Sequence, residues 1–519
     1  MHSTLSERLQ SLASSHASEL ALIEPGRSVT YAELARDSQR LASYFSSLGV
    51  APGDRVALWL PNTVEWVSSF IALSHLGAIA LSVNTRFRSH EVQDIIDRGQ
   101  ASWLIYWPGF KGIEFDDILL NIEAQSRAKL KGMITLAQLR SATEVDRPAI
   151  AAHGDHGTLT FTTSGTTSQP KFVLHTESVI LRHADAIAQA FSYDDQTCVL
   201  ASAPFCGAFG FATLIGGLFT GHPVVFEPVS TADSLLTLVR QYQVTHTYAN
   251  NALILQMLQT SHDRSDFTSC KLFGFASFAP AQNELFDLAN QNNLELTGLY
   301  GSSELIALVA AQPIDDDHGD TSVRYEPGGC LVHEHGRVRA RDPQTGHILP
   351  NGQSGEIEIL SPSHMAAYLD QPEATRKAFS EDGYFRTGDL GWCVSDRQFV
   401  FQARMGDSLR LGGFLVNPAE IETVIETIAA IRACQVVGVE HGSKTVAVAF
   451  VLLNQNHIYD STDPSQWTAF CKQKLAGFKV PVHFEVLDYF PTVESPNSVK
   501  IQKHKLRDMA KQILEKHHA

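Results

Sequence analysis

The stretch TTSGTTSQPK, residues 162–171, carries the most information about the fold of this chain. It follows an apolar run at residues 159–161 that the pattern predicts to be a buried strand. Hydroxyl side chains, a glycine and a lysine next to a strand end can direct N–H groups, oxygens and a positive charge at phosphate oxygens. The GxxxxGK spacing of a Walker A loop is missing. Taken alone, a polar surface loop explains the segment equally well.

Around this stretch, short apolar runs alternate with helical patterns over the first two-thirds of the chain. The predicted strands are residues 55–60, 103–106, 159–162, 223–227, 245–249, 271–275 and 294–299. The predicted helices are residues 63–76, 91–97, 178–191, 232–242 and 283–290. This alternation predicts α/β layers with mostly parallel strands and with helices on the sheet faces.

After residue 329 the pattern changes to short strands and turns, as in LPNGQSGEIEIL and EDGYFRTGDLGW. We expect a small antiparallel β region, a distorted barrel, that closes a large N-terminal domain of residues 1–404. Residues 405–519 have strands and helices of their own, and we expect them to form a smaller α+β lid domain. The boundary is predicted to be a short hinge at residues 404–406.

The composition excludes several classes of function. Lysine and arginine number 40 against 56 aspartates and glutamates, a formal charge of −16. This charge argues against broad binding to nucleic acids or anionic membranes, and any polyanionic ligand needs a locally positive site. Seven dispersed cysteines without a CxxC pair, and an N-terminus without an apolar signal core, predict reduced thiols in a cytoplasmic protein. The histidine pairs lack supporting ligands at metal spacing, so we expect no structural metal.

Residues 196–226 contain no charged side chain and are long enough to span a membrane. Pro204, His222, Pro223 and five glycines interrupt the run. These features favour a buried segment that lines a pocket over a membrane span.

Three further segments strengthen the phosphate interpretation. YGSSE at residues 300–304 places an aromatic ring beside a carboxylate, and FRTGD at residues 385–389 offers a turn-borne carboxylate suited to a vicinal diol. ARMGD at residues 403–407 leads into GGFLVNPAEIE at residues 412–422. With TYAEL at 30–34, GDRVA at 53–57, VKI at 499–501 and LR at 506–507, the chain resembles the adenylate-forming superfamily. That superfamily includes acyl-CoA synthetases, adenylation domains of peptide synthetases and firefly luciferase.

The resemblance implies roles for residues in the first half-reaction. Lys500, Glu304 and Thr166 are implied as catalytic, with Glu304 and Thr166 also binding Mg²⁺. Those implied for ATP or AMP binding are Thr163, Ser164, Gly165, Thr166, Thr167, Lys171, Ser277, Phe278, Ala279, Tyr300, Gly301, Ser302, Ser303, Asp389 and Arg404. Alternatives from the residues alone stay open: Asp389 as a turn cap, Glu304 as a surface ion-pair partner, and Lys500 as one of several surface lysines.

For the second half-reaction, the resemblance implies a hinge at Gly406 and a CoA side at Gly412, Gly413 and Phe414. The implied acyl pocket consists of Phe205, Gly207, Phe209, Phe211, Phe278 and Leu305, and core packing is an equally good explanation of Phe278. Gly207 stands where the family usually has a histidine, and Phe172 stands where it has a glycine. These pocket positions include no acidic residue that could hold an amino group, which favours a compact apolar or aromatic acid.

The leading hypothesis is therefore an ATP- and Mg²⁺-dependent acid–CoA ligase, acting on a small-molecule acid as a monomer or homodimer. A stand-alone ligase that loads a separate carrier protein is the near alternative. A non-catalytic adenine-nucleotide sensor is a hypothesis of a different class, and a luciferase-like monooxygenase shares the fold.

Overall fold

The computed structural model describes residues 4–143, 155–163, 170–261, 263–276, 282–312, 328–343, 345–405, 409–412, 414–416, 418–442, 444–454, 463–495 and 498–516. Its helices, numbered in chain order, are α1 (Leu5–Ser15), α2 (Tyr31–Leu48), α3 (Val64–His75), α4 (Ser89–Asp97), α5 (Phe115–Leu120), α6 (Ala124–Arg127), α7 (Leu136–Ser141), α8 (Glu177–Ala190), α9 (Ala208–Leu218), α10 (Ala232–Tyr242), α11 (Asn251–Thr260), α12 (Gln282–Gln291), α13 (Pro372–Ala378), α14 (Pro418–Glu426), α15 (Pro464–Lys474) and α16 (Lys503–Lys516).

The strands are numbered in the same way. They are β1 (Leu20–Glu24), β2 (Arg27–Thr30), β3 (Arg55–Trp59), β4 (Ile79–Ser82), β5 (Trp103–Tyr106), β6 (Gly132–Thr135), β7 (Gly157–Thr163), β8 (Lys171–Thr176), β9 (Val199–Leu200), β10 (Val224–Val225), β11 (His246–Asn250), β12 (Leu272–Ala276), β13 (Leu296–Tyr300), β14 (Ala310–Ala311), β15 (Gly328–Leu331), β16 (Arg337–Arg341), β17 (Ile348–Leu349), β18 (Gly355–Leu360), β19 (Ala367–Tyr368), β20 (Phe385–Cys393), β21 (Gln398–Arg404), β22 (Leu409–Leu411), β23 (Phe414–Val416), β24 (Ile431–His441), β25 (Lys444–Leu453), β26 (His483–Val486), β27 (Thr492–Ser495) and β28 (Ser498–Ile501).

Two large sheets form the N-terminal part of the chain. The first has the strand order β19-β8-β7-β4-β3-β5-β6, and its strands from β7 to β6 pair in parallel. The second contains the parallel strands β1, β10, β9, β11, β12 and β13. The predicted α/β layers with mostly parallel strands are confirmed. The predicted antiparallel region is present as β14 to β18, β20 and β21, and these strands continue the second sheet.

Helix α3 shows how the sequence sets element bounds. The Thr63 side chain accepts a hydrogen bond from the Trp66 amide at 3.1 Å and caps the first turn. Gly77 follows the helix with a φ of 71°, a left-handed conformation that glycine adopts without steric cost. The helix therefore begins and ends as the sequence predicts.

The charge-free segment at residues 196–226 folds as β9, α9 and β10. Most residues of α9 are buried, and the helix packs in the main apolar core with α3 and α8. In the part of the chain that the structure describes, no helix is long and apolar enough to cross a bilayer. All seven cysteines are free thiols.

The C-terminal segment, residues 405–519, has a three-stranded sheet in the order β24-β25-β26. Alternate residues of β25 face opposite sides of this sheet. Ala447, Ala449 and Val451 join one apolar cluster with residues of α14 and α15, whereas Val448 and Phe450 join another with residues of α16. The two faces thus carry different helices.

Candidate functional site

A cavity of about 1930 Å³ lies where several strand ends meet the C-terminal segment. Its wall includes residues after the carboxyl ends of β9, β11, β12 and β13, where ligands bind in open α/β sheets. Gly412, Lys444 and Phe478 of the C-terminal segment close another side. Many of the site residues predicted from the sequence are therefore gathered around one cavity.

The charge of the cavity wall differs from that of the chain. Six lysines and arginines and five acidic residues are among the described lining residues: Arg86, Lys111, Lys171, Lys377, Arg386 and Lys444 against Glu227, Glu304, Glu356, Glu373 and Asp389. Positive and negative side chains are therefore nearly balanced among these residues, whereas the whole chain has a formal charge of −16. The lysines and arginines on this wall can offset part of the charge of a polyanionic ligand.

Three side chains form a cluster on the wall of the cavity. Glu304 lies in a 3-10 turn after β13, and the Tyr368 hydroxyl donates to its Oε1 at 2.8 Å. The Lys171 Nζ lies 4.3 Å from the centre of the Tyr368 ring. Burial lowers the pKa of Lys171 from its ordinary value, and the charge of Glu304 opposes that shift. Tyr368 thus contacts the Glu304 carboxylate through its hydroxyl group and the Lys171 ammonium through its ring.

Tyr368 is a site residue that the sequence reasoning missed. It belongs to β19, which pairs with β8 so that Tyr368 lies opposite Val173. The sequence separation from Glu304 is 64 residues, and a two-residue strand leaves no periodic pattern. Only the pairing of β19 with β8 brings this hydroxyl to the site.

A second tyrosine–carboxylate pair, Tyr300 and Asp389, lies on the wall of the same cavity. The Tyr300 hydroxyl donates to Asp389 Oδ2 at 2.5 Å. Phe399 packs edge-on against the Tyr300 ring with centroids 4.9 Å apart. Asp389 is 4% exposed and lies opposite Arg404 in the β20–β21 ladder. The motifs YGSSE and FRTGD therefore meet, as their implied shared role in nucleoside binding requires.

A strained turn follows the YGSSE motif. Ile306, Ala307 and Leu308 all have positive φ, at 54°, 49° and 41°, although none is a glycine. A Cβ on Gly301 would lie 2.6 Å from the Ala307 Cα, so only glycine fits there. Such strain persists only where the surrounding structure fixes it.

Two buried histidines stabilise this turn. The His175 Nε2 donates to the Ser303 carbonyl at 2.8 Å, and the His183 Nε2 donates to the Ala307 carbonyl at 2.9 Å. Burial lowers the pKa of His175 to about 4 and that of His183 to about 3, so both rings are neutral at pH 7. These hydrogen bonds help to fix Ser302, Ser303 and Glu304 at the cavity wall.

The predicted acyl-pocket residues fall into two groups. Gly207 and Phe209 line the cavity. Phe205, Phe211 and Leu305 are each 0% exposed, lie inside apolar core clusters, and are not among the described residues on the wall. Their apolar character reflects core packing, which the sequence pattern alone does not distinguish from pocket lining.

The loop before α9 is fixed by one side chain. The Asn62 Nδ2 donates to the Ala203 carbonyl at 2.9 Å, and its Oδ1 accepts from the Phe205 amide at 2.8 Å. Among the residues that the structure describes, only the Pro204 carbonyl oxygen would lie within 4 Å of a Cβ on Gly207, at 3.6 Å, so these residues leave room for a side chain. A Cβ on Gly210 would lie 2.3 Å from the same carbonyl oxygen, which excludes other residues there.

Several implied site residues lie outside the described part of the chain: Ser164, Gly165, Thr166, Thr167, Ser277, Phe278, Ala279, Gly406 and Gly413. The backbone is described, but not the side chain, at Arg404, Phe414 and Lys500. Thr163, Gly301, Ser302, Ser303 and Gly412 line the cavity. Phe172 is 2% exposed and packs in a core cluster.

The residues around Glu304 fit a magnesium ion. Mg²⁺ prefers oxygen ligands and is usually held by one or two carboxylates together with substrate phosphates. Glu304 supplies a carboxylate at the cavity wall, and Ser302 and Ser303 place hydroxyl groups next to it.

The chain is similar in sequence and in fold to known proteins. FadD13, a long-chain-fatty-acid–CoA ligase of Mycobacterium tuberculosis, is 29% identical over 495 residues, 92% of this chain and 91% of the relative. The fold is similar to o-succinylbenzoate CoA synthetase (MenE) of Bacillus subtilis, with a TM-score of 0.83 and 23% identity over 96% and 98% of the two chains. It is also similar to the amide bond synthetase McbA of Marinactinospora thermotolerans, with a TM-score of 0.82 and 24% identity over 97% and 99%.

The family models extend over most of the chain. The model described as AMP-binding enzyme matches residues 9–369. The model described as AMP-binding enzyme C-terminal domain matches residues 420–496. With its cavity, its tyrosine–carboxylate pairs and these matches, the chain belongs to the AMP-binding enzyme family.

Proposed function

We propose that the chain is an ATP-dependent carboxylic acid–CoA ligase that forms an acyl-adenylate and then an acyl-CoA thioester. The observation that carries this proposal is the pairing of Tyr300 with Asp389 on the wall of a cavity that also contains Glu304 and Lys171. One pair suits a nucleoside and the other suits phosphates. The names of relatives such as FadD13 support the same reaction.

In the first half-reaction, a carboxylate oxygen of the acid attacks the α-phosphorus of ATP and pyrophosphate leaves. Lys171 offsets negative charge on the phosphates, and Asp389 accepts hydrogen bonds from the ribose hydroxyls. Tyr300 positions Asp389 and presents its ring to the adenine. A bound Mg²⁺ would neutralise charge on the leaving pyrophosphate. Lys500 stabilises the charge that develops between the carboxylate and the phosphate.

The second half-reaction transfers the acyl group to a thiol. The thiolate sulfur attacks the acyl carbon, the C–O bond of the mixed anhydride breaks, and AMP leaves. We propose a domain boundary at residues 404–405, with Gly406 as the pivot, because this step needs Lys500 out of the cavity. The arrangement of the C-terminal segment supports this view, since Ile501, next to Lys500, packs in the cluster with α16. The turn that contains Phe478 faces the cavity instead.

The acid that we propose is compact and apolar or aromatic. Phe209, Leu253 and Ala252 line the same cavity as Gly207. The described residues leave the space next to Gly207 open, so they form a wider wall there than they would with a histidine at this position. An aryl ring or a short branched chain would fill this volume and bury apolar surface.

A pyrophosphate-release screen tests the function. The purified protein is given ATP, Mg²⁺ and a panel of fatty, aryl and dicarboxylic acids, with and without CoA, and the products are identified by mass. Pyrophosphate release and a CoA thioester with at least one acid are expected. ATP binding without pyrophosphate release for every acid would instead indicate a nucleotide sensor. Pyrophosphate release without a CoA thioester would point to another acceptor, a carrier-protein thiol or an amine.

A further inference from the structure

A buried charge cluster lies where the C-terminal segment contacts helix α4. Lys479, at the end of a 3-10 turn (Gly477–Lys479), is only 6% exposed. Its Nζ lies 2.9 Å from Glu420 Oε2 and 3.8 Å from Glu91 Oε1. The same Nζ lies 5.2 Å from the centre of the Phe87 ring. A lysine this deeply buried requires such partners, because an unpaired ammonium is costly in the interior.

Glu91 also holds the backbone of the C-terminal segment. Its Oε1 accepts a hydrogen bond from the Ala476 amide at 2.8 Å, and its Oε2 accepts from the Arg88 amide at 2.9 Å. The nearby Ser89 hydroxyl donates to the Gln473 carbonyl at 3.4 Å. The Glu91 carboxylate therefore has three partners. It caps the first turn of α4, it pairs with Lys479, and it binds the backbone amide of Ala476, three residues before Lys479.

The partners of Lys479 divide between the two parts of the chain. Glu420 belongs to α14 of the C-terminal segment, so it stays beside Lys479 however that segment turns. Glu91 and Phe87 belong to the N-terminal part, so their contacts with Lys479 form only in the present orientation. A contact that exists in one of two orientations shifts the equilibrium towards that orientation.

The position of the cluster links it to one chemical step. Gly477, Phe478 and Val480, which surround Lys479 in sequence, line the cavity. Ile501, the last residue of β28 and the neighbour of Lys500, packs with α16 on the opposite sheet face from α15. The orientation that Glu91 favours therefore turns the 477–480 turn, and not the α16 face, towards the cavity.

We propose that Glu91 and Lys479 are positioning residues that hold the C-terminal segment in the orientation for thiol transfer. This inference rests on the proposed function, because it assigns the contact to the second of two half-reactions. Neither side chain touches the reacting atoms. Both side chains act by holding the turn at residues 477–480, which lines the cavity.

The test separates the half-reactions in Glu91→Gln and Lys479→Met. Glutamine keeps the shape of Glu91 but has one acceptor oxygen instead of two and no charge. Thioester formation from supplied acyl-adenylate is expected to fall roughly tenfold or more, since half of a buried ion pair is lost. Pyrophosphate release in a single turnover is expected to stay within about twofold. Lys479→Arg, which keeps the charge, is expected to restore much of the thioester rate.

Arg240→Met serves as the matched control. Arg240 pairs with buried Asp266 at 2.6 Å, but both belong to the N-terminal part, so the ratio of the two rates should not change. Equal losses of both half-reactions in Glu91→Gln, or an unchanged thioester rate, would overturn the proposal.

Amide hydrogen exchange gives a readout that does not depend on activity. Exchange at residues 473–479 and 88–97 is expected to quicken in Glu91→Gln and not in Arg240→Met. Unchanged exchange would count against the contact even in a protein that makes no thioester. If the wild-type protein releases no pyrophosphate, the proposed function is refuted. The exchange measurement would still test whether Glu91 holds the C-terminal segment.

Discussion

Tyr368 donates its hydroxyl hydrogen to Glu304 at 2.8 Å, while its ring lies 4.3 Å from the Lys171 ammonium. One side chain thus contacts both the carboxylate and the cation proposed to act on the phosphates. Tyr368→Phe removes the hydrogen bond and keeps the ring. We expect the KM for Mg·ATP in pyrophosphate release to rise about tenfold, since one hydrogen bond to a charged group is lost. Thioester formation from supplied acyl-adenylate should be unchanged, and an equal loss there would contradict this role.

Lys500→Ala should abolish adenylate formation and spare thioester formation from supplied acyl-adenylate. The reason is that the lysine charge is needed only while two anions are joined. Lys505→Ala is the control, because Lys505 is an exposed lysine on neighbouring α16. Equal loss of both half-reactions in Lys500→Ala would remove this lysine from the catalytic role.

Asp389→Asn should raise the KM for ATP by roughly tenfold, because an amide is a weaker acceptor for the ribose hydroxyls than a carboxylate. The measurement is steady-state pyrophosphate release with ATP and with its 2′- and 3′-deoxy analogues. The penalty should shrink with the analogue that lacks the hydroxyl bound by Asp389. A penalty of the same size for all three nucleotides would show that Asp389 acts through Tyr300 or the fold alone.

Gly207→Phe should change the choice of acid without unfolding the protein, since the described neighbours leave space for a side chain at this position. We expect the kcat/KM for bulky acids to fall more than tenfold relative to short ones. Gly210→Ala is the contrasting variant, because its Cβ would overlap two backbone oxygens, and it should lower the melting temperature. An unchanged acid profile in Gly207→Phe would place the acyl group elsewhere in the cavity.

Stability should fall in mild acid because of the buried histidines. The pKa of His183 is lowered to about 3 in the fold, against about 6.5 in an unfolded chain, so the unfolded state binds more protons between these values. The stabilisation is complete above pH 6.5 and is lost as the pH falls. The free energy of unfolding, measured in urea at pH 7.5 and at pH 5, tests this dependence. His183→Gln, which does not titrate, should show a shallower dependence than the wild type.

Local sequence signals predicted much of the fold and part of the site. Thr63 caps the start of α3, and Gly77 ends the helix in a left-handed conformation. Both signals depend only on residues that are close in sequence. The position of Tyr300 at the end of β13 follows from an apolar run and a polar turn. Residues 162–171 alone were compatible with a phosphate-binding loop or a polar surface loop. The order of this segment among the other motifs favoured the phosphate-binding loop.

Long-range pairing explains what the sequence did not predict. Tyr368 reaches Glu304 through a two-residue strand whose partner lies about 190 residues earlier, and Lys479 reaches Glu91 across 388 residues. The family resemblance implied Phe205 and Phe211 as acyl-pocket residues, and apolar residues line both pockets and cores. Their burial in the main core cluster depends on the packing of α9 and of the loop before it.

The loop before α9 also determines how the acid specificity of this enzyme can change over evolutionary time. Asn62 holds the Ala203 and Phe205 backbone, and Gly210 admits no other residue, so most substitutions there would be removed by selection for stability. Gly207 lies between these constrained positions, and the described residues leave space beside it. If the acid binds there as we propose, new acids can be accepted through mutations at one tolerant position, while the surrounding scaffold is inherited unchanged.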